Sequence, residues 1–131
     1  MAAYFWIAIG GALGSIARFW FSGVIANRFA TPFPWGTLLV NITGSFAIGF
    51  FATFTGTEGR WLAPARFREF FMIGICGGYT TFSSFSLQTL NLAEDGQWLY
   101  AAGNVVLSVV SCLAAVWLGH LLAVSLNSSP R

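Results

Sequence analysis

Residues 77–85, GGYTTFSSF, hold two glycines, two threonines and two serines inside the uncharged run 70–93. Gly77 and Gly78 each weaken a helix by about 1 kcal/mol relative to alanine, and the β-branched Thr80 and Thr81 weaken it further. The run is therefore expected to break here. A break at membrane depth frees amides and carbonyls that hydrocarbon cannot satisfy, so it must face protein, a cavity or an ion. Freed carbonyls would hold a cation. Freed amides, with the hydroxyls of Thr81, Ser83 and Ser84, would donate to an anion.

Other residues bear on the sign of that ion. Thr37, Asn41 and Ser45 recur every fourth residue beside Gly44, a polar ridge on an otherwise apolar helix. An asparagine so placed often only ties helices together, for ~0.6–2 kcal/mol. Beside a broken segment, Asn41 is expected to serve the ion as well. Arg18 interrupts the first apolar run nine residues, roughly 14 Å, before Asn27, and a guanidinium there costs at least ~2.5–3.5 kcal/mol. It must meet water, a partner or an anion. No aspartate or glutamate lies within the four runs, which favours an anion over a cation. Phe82 and Phe85, three apart, should project to one side of a resumed helix, with hydroxyls interleaved, and their electropositive ring edges suit an anion. In the last run Asn104, Ser108 and either Ser111 or Cys112 share a stripe.

The elements that position these residues follow from composition. The chain has 131 residues, 56% hydrophobic and 8% charged, with mean hydropathy +0.73. An ordinary soluble domain is about 25% charged. The apolar runs are 2–27, 35–57, 70–93 and 96–125. Each meets the ~20 residues that a membrane-spanning helix needs. The predicted fold is an all-α membrane protein, one domain over 1–131, with four transmembrane helices and a broken third.

The first run is too long for a secretory signal and lacks a basic lead, so it is expected to remain as a helix. On it, Gly10 and Gly14 form a small-xxx-small pair, with Gly11, Ser15 and Ser22 on the same face, predicting close helix contact. Trp35, Trp61 and Trp98 stand at span ends as interfacial anchors. His120 is expected at an interface. Cys76 and Cys112 fall within spans and should act as small apolar residues without a disulfide. Arg60, Arg66, Arg68 and Arg131 lie on one side of the spans against Arg28 on the other, a modest bias toward both termini inside.

Three segments, GGALGSIARF (10–19), WGTLLVNITGSFAIGF (35–50) and GICGGYTTFSSF (74–85), carry a resemblance that covers essentially the whole chain. In them the chain resembles the small bacterial fluoride channels, the Fluc or CrcB proteins. The resemblance implies an antiparallel, dual-topology homodimer in the bacterial inner membrane, with two pores passing fluoride passively, no organic cofactor, no enzymatic chemistry and no nucleic-acid partner. It places Asn41, Phe82 and Phe85 on the fluoride path. It puts Thr81, Ser83 and Ser84 at the hydroxyl-bearing positions of the break, with Ser108 and Cys112 on the fourth helix and Arg18 toward a vestibule. It also implies a structural Na⁺ at the dimer interface, held by the backbone carbonyls of Gly77 and Thr80.

Two positions depart from the family pattern. TTFSS replaces the commoner TTFST, keeping the hydroxyl at Ser84. Cys112 stands where relatives usually have a serine or threonine, and a thiol is the weaker donor. Two other readings fit less of the chain. A small multidrug-type four-helix exporter needs a glutamate in its first helix, where this chain has only Arg18. A non-transporting membrane adaptor leaves the broken third run unexplained.

Overall fold

A computed structural model describes residues 1–128, so Arg131, counted in the charge bias above, lies outside the described residues. Helix α1 covers Ala2–Arg28 and α2 covers Trp35–Phe54. The third span, Ala65–Glu94, is composite. It runs through α3 (Ala65–Arg68), a π-helical stretch (Glu69–Cys76), α4 (Gly77–Tyr79) and α5 (Phe82–Glu94). Helix α6 covers Trp98–Ser128. Among the described residues there is no strand, and four helices are long and apolar enough to cross a membrane.

The span ends differ from the sequence expectation for identifiable reasons. Helix α2 stops at Phe54 rather than at residue 57, and Thr55, which follows it, turns its hydroxyl back to the Phe51 carbonyl (2.7 Å). Arg68 then donates to Thr55 Oγ1 (2.6 Å) and to the Ala52 carbonyl (3.3 Å). A cation on the last carbonyls of a helix complements its dipole. The third span begins at Ala65, after Pro64, and not at residue 70. Glu94 is that span's last residue and Glu69 falls inside it, which corrects the expectation that the spans hold no acid. Glu69 lies about 6 Å of helix from the start, near the end of the span and far from its middle.

Helix α6 begins at Trp98 and not at residue 96, because Gly96 (φ 74°) takes a left-handed turn. Gln97 N–H donates to the Leu92 carbonyl (2.8 Å) and Gly96 N–H to that of Ala93 (3.0 Å), the paired bonds of a Schellman C-terminus.

Two close helix pairs make up the bundle: α1 against the third span, and α2 against α6. Gly10 and Gly14 meet the third span directly, and a methyl group on Gly10 would lie 2.6 Å from the Phe70 carbonyl oxygen. This is the contact predicted for the small-residue face. The second pair is as tight: Gly49 abuts the Val116 backbone and Gly119 abuts that of Phe46. The outer face of α6 is uncovered, with Val110, Leu113 and Trp117 each more than 60% exposed. Trp35, Trp61 and Trp98 are exposed at or beside span ends. His120 is exposed near the end of α6, where its Nδ1 lies 2.8 Å from Thr53 Oγ1. Cys76 is buried, Cys112 is half-buried, and both thiols are free.

Candidate functional site

The third span breaks at Thr80–Thr81, where the backbone is extended (Thr80 ψ 157°; Thr81 φ −152°, ψ 115°). The break is where the sequence suggested, but its pivot is the threonine pair. Gly77 and Gly78 stay helical. Gly78 is there for closeness, since a side chain on it would strike the Gly11 backbone.

Each bond at the break follows from the extended turn. Thr81 becomes the N-cap of α5: its Oγ1 accepts from Ser84 N–H (3.2 Å) and lies 3.3 Å from Ser83 Oγ and 3.1 Å from Ser84 Oγ. Its own backbone is held by Asn41, whose Oδ1 accepts from Thr81 N–H (2.7 Å) while Nδ2 donates to the Thr81 carbonyl (3.0 Å). Asn41 thus acts as a two-point clamp on the unwound residue. Its second Nδ2–H has no partner among the described residues. Ser15 on α1 donates to the Gly78 carbonyl (3.4 Å), and both the Thr80 hydroxyl and its N–H donate to Cys76 O (2.9 Å each).

The break takes the helical donors from the carbonyls of residues 77–80; Gly78 O regains one from Ser15, and those of Gly77 and Thr80 are among the ones left. In an unbroken helix Gly77 O would accept from Thr81 N–H, and Thr80 O from Ser84 N–H. Those donors are instead taken by Asn41 Oδ1 and Thr81 Oγ1. The space beside Gly77 is open, with only the Met72 carbonyl oxygen, at 3.8 Å, near where a methyl group would stand. Neutral carbonyl oxygens suit a hard cation, so the arrangement fits the implied Na⁺. Among the described residues no cluster of three or more His, Cys, Asp or Glu could hold a metal in another way.

Two cavities meet at Thr81. One, of about 410 Å³, is lined by Asn41, Ser45, Thr80, Phe82, Phe85, Ser108 and Cys112, among others. The Phe82 and Phe85 rings touch there, with centroids 5.2 Å apart, Phe85 buried and Phe82 76% exposed. The second cavity, of about 350 Å³, is lined by Ser15, Arg18, Phe19, Ser22, Thr37, Thr81, Ser84 and Gln88. It shares Phe19, Ser22, Thr37 and Gln88 with a third, of about 480 Å³, which reaches Asp95 at the end of α5.

The site residues named from the sequence fall in two groups. Asn41, Thr80, Thr81, Phe82, Phe85, Ser108 and Cys112 share the first cavity, while Arg18 and Ser84 face the second. The serines are therefore not interleaved with the rings, because Ser84 looks to the opposite side of α5. Ser83 is exposed and lines neither cavity. On α6, Cys112 faces the first cavity, whereas Ser111 bonds back to the Leu107 carbonyl. Ser108 donates to Asn104 Oδ1 (3.3 Å), and Asn104 Nδ2 donates in turn to Thr89 (2.9 Å). Arg18 Nε is buried without a partner, as expected of a guanidinium that needs water or an anion.

Sequence reasoning missed Gln88, whose Oε1 is also buried without a partner beside Arg18's cavity. Its signal was present, since Thr81, Ser84 and Gln88 follow 3- and 4-residue steps along one face.

A family model described as CrcB-like protein, Camphor Resistance (CrcB), matches residues 5–120. The chain belongs to this family. Curated relatives agree over nearly their whole length. It is 63% identical to the "Fluoride-specific ion channel FluC" of Rhodospirillum rubrum over 124 residues, 95% of this chain and 96% of that one. It is 62% identical over 128 residues to the protein of the same name from Opitutus terrae, covering 98% and 97% of the two chains. With that of Methylocella silvestris the identity is 59%, covering 95% of each. The family match spans all four helices, so the break, the Asn41 clamp and both cavities lie within it.

Proposed function

We propose that this protein is a fluoride-selective channel of the bacterial inner membrane, through which the anion leaves the cytoplasm passively. The observation that carries the reading is the Asn41-clamped break at Thr80–Thr81, set between an arginine-lined cavity and one edged by Phe82 and Phe85, in a family whose close relatives are named as fluoride channels.

The chemistry is replacement of water. Fluoride is small and strongly hydrated, so a dry passage must offer donors in place of its shell. Arg18 and the hydroxyls of Thr37 and Ser84 gather the anion in the second cavity. At Thr81 the free Nδ2–H of Asn41 meets it. Beyond, the electropositive edges of Phe82 and Phe85 take over, with the Cys112 thiol and with the Ser108 hydroxyl turned from Asn104 Oδ1 to the anion. A membrane potential of 100 mV, negative inside, contributes ~2.3 kcal/mol per charge toward export, so no nucleotide is required.

The pore is completed by a second, antiparallel copy, giving two pores per homodimer. Phe82 at 76% exposure and the open approach to Gly77 support this, since both lie at the break yet lack cover within one chain. The Gly77 and Thr80 carbonyls of both copies then hold one Na⁺ on the two-fold axis, a structural ion fixing the two breaks against each other. Efflux from proteoliposomes, read with a fluoride electrode, tests the assignment: rapid fluoride release is expected, and release no faster than from protein-free liposomes removes it.

A further inference from the structure

Outside the ion path lies a fourth hollow, of about 340 Å³, formed by Trp6, Pro64, Arg66, Phe67 and Phe70. It sits where the start of α1 meets the start of the third span, with Trp6 edge-on to Phe70 at 6.0 Å. Phe67 links Phe70 (6.3 Å) to Trp61 (5.4 Å). Trp6 lies about 6 Å of helix inside α1, and Phe70 about 7 Å inside the third span. The hollow therefore opens at the boundary between headgroups and acyl chains, with its aromatic floor on the deeper side.

The three arginines of this end among the described residues differ in what they hold. Arg60 donates to the Leu126 carbonyl (2.9 Å), and Arg68 is committed to Thr55 and Ala52. Arg66 is exposed and makes no hydrogen bond or ion pair with any described residue, although Glu69 stands one turn along the same helix. A free guanidinium above an aromatic trough matches a phosphate above an acyl chain, in charge and in polarity. We infer that this hollow is a binding site for one anionic phospholipid, its chain on Trp6, Phe67 and Phe70 and its phosphate on Arg66.

The test is native mass spectrometry of the intact protein released from micelles doped with equal phosphatidylglycerol and phosphatidylcholine. One basic side chain at the surface corresponds to about a fivefold preference for the anionic lipid. Arg66→Gln is expected to lower phosphatidylglycerol retention about fivefold toward the phosphatidylcholine level, with Arg66→Lys retaining most of it. Trp6→Ala should also lower retention, whereas Trp20→Ala, an exposed tryptophan on the same helix outside the hollow, should not. Equal retention of the two lipids by the native protein overturns the site. So does an anionic preference unchanged in Arg66→Gln, or an equal loss in Trp20→Ala.

Discussion

Replacing Asn41 by alanine removes both halves of the clamp on Thr81, the 2.7 Å and 3.0 Å bonds. The size of the loss decides what Asn41 is. An asparagine that only ties two intact helices together is worth ~0.6–2 kcal/mol, because its partners find substitutes. Thr81 N–H and C=O are main-chain groups of an extended residue, outside the helical ladder, and Thr81 is only 9% exposed. Leaving a buried polar group unpaired costs about 1–3 kcal/mol, so Asn41→Ala should destabilise the protein by about 2–6 kcal/mol. Asn41→Asp is the internal control. Its carboxylate still accepts from Thr81 N–H, but an anionic oxygen then stands where Nδ2 faced the Thr81 carbonyl, so a loss at least as large is expected, with fluoride flux blocked by the negative charge. Equilibrium unfolding in micelles, with flux measured in parallel, reads both. A loss below about 1 kcal/mol in Asn41→Ala, or a smaller loss in Asn41→Asp than in Asn41→Ala, refutes the clamp.

Further outcomes follow from the same structure. Phe82→Ile is expected to suppress fluoride flux without preventing dimerisation, checked by efflux and crosslinking, since in the proposed passage the ring offers its edge, while its 76% exposure leaves it little part in the fold of one chain. Prolonged sodium removal should diminish flux, and its return should restore it. Ser108→Ala should slow flux while Ser111→Ala leaves it unchanged, because only the first hydroxyl lines the cavity. Gly49→Val forces a side chain into the Val116 backbone and should destabilise by at least about 1–3 kcal/mol, seen as a lowered thermal transition.

Much of this architecture was legible because the bilayer restricts the alternatives. Four apolar runs become four helices, and polar residues deep within them mark the places where helices must face something other than lipid. What was not legible depended on partners. Glycine serves both as a weak point in a helix and as a surface for close approach, and only the position of Gly11 against Gly78 shows which use applies. The break falls instead on Thr80–Thr81, because Asn41 and the Thr81 hydroxyl satisfy the groups released there. Arg68 and Glu69 read as loop charges until Arg68 is seen capping α2 from the first turn of the third span. The division of Ser83, Ser84 and the two rings among different faces of α5 depended on the angle at which that helix restarts, which the sequence does not encode locally.

As proposed, the broken third span passes fluoride and refuses its larger relative. The most direct measurement is the reversal potential of the purified protein in a planar bilayer, with fluoride on one side and chloride on the other. A potential that follows the fluoride gradient and is insensitive to chloride is expected. A reversal near zero, or one that moves with chloride, contradicts it.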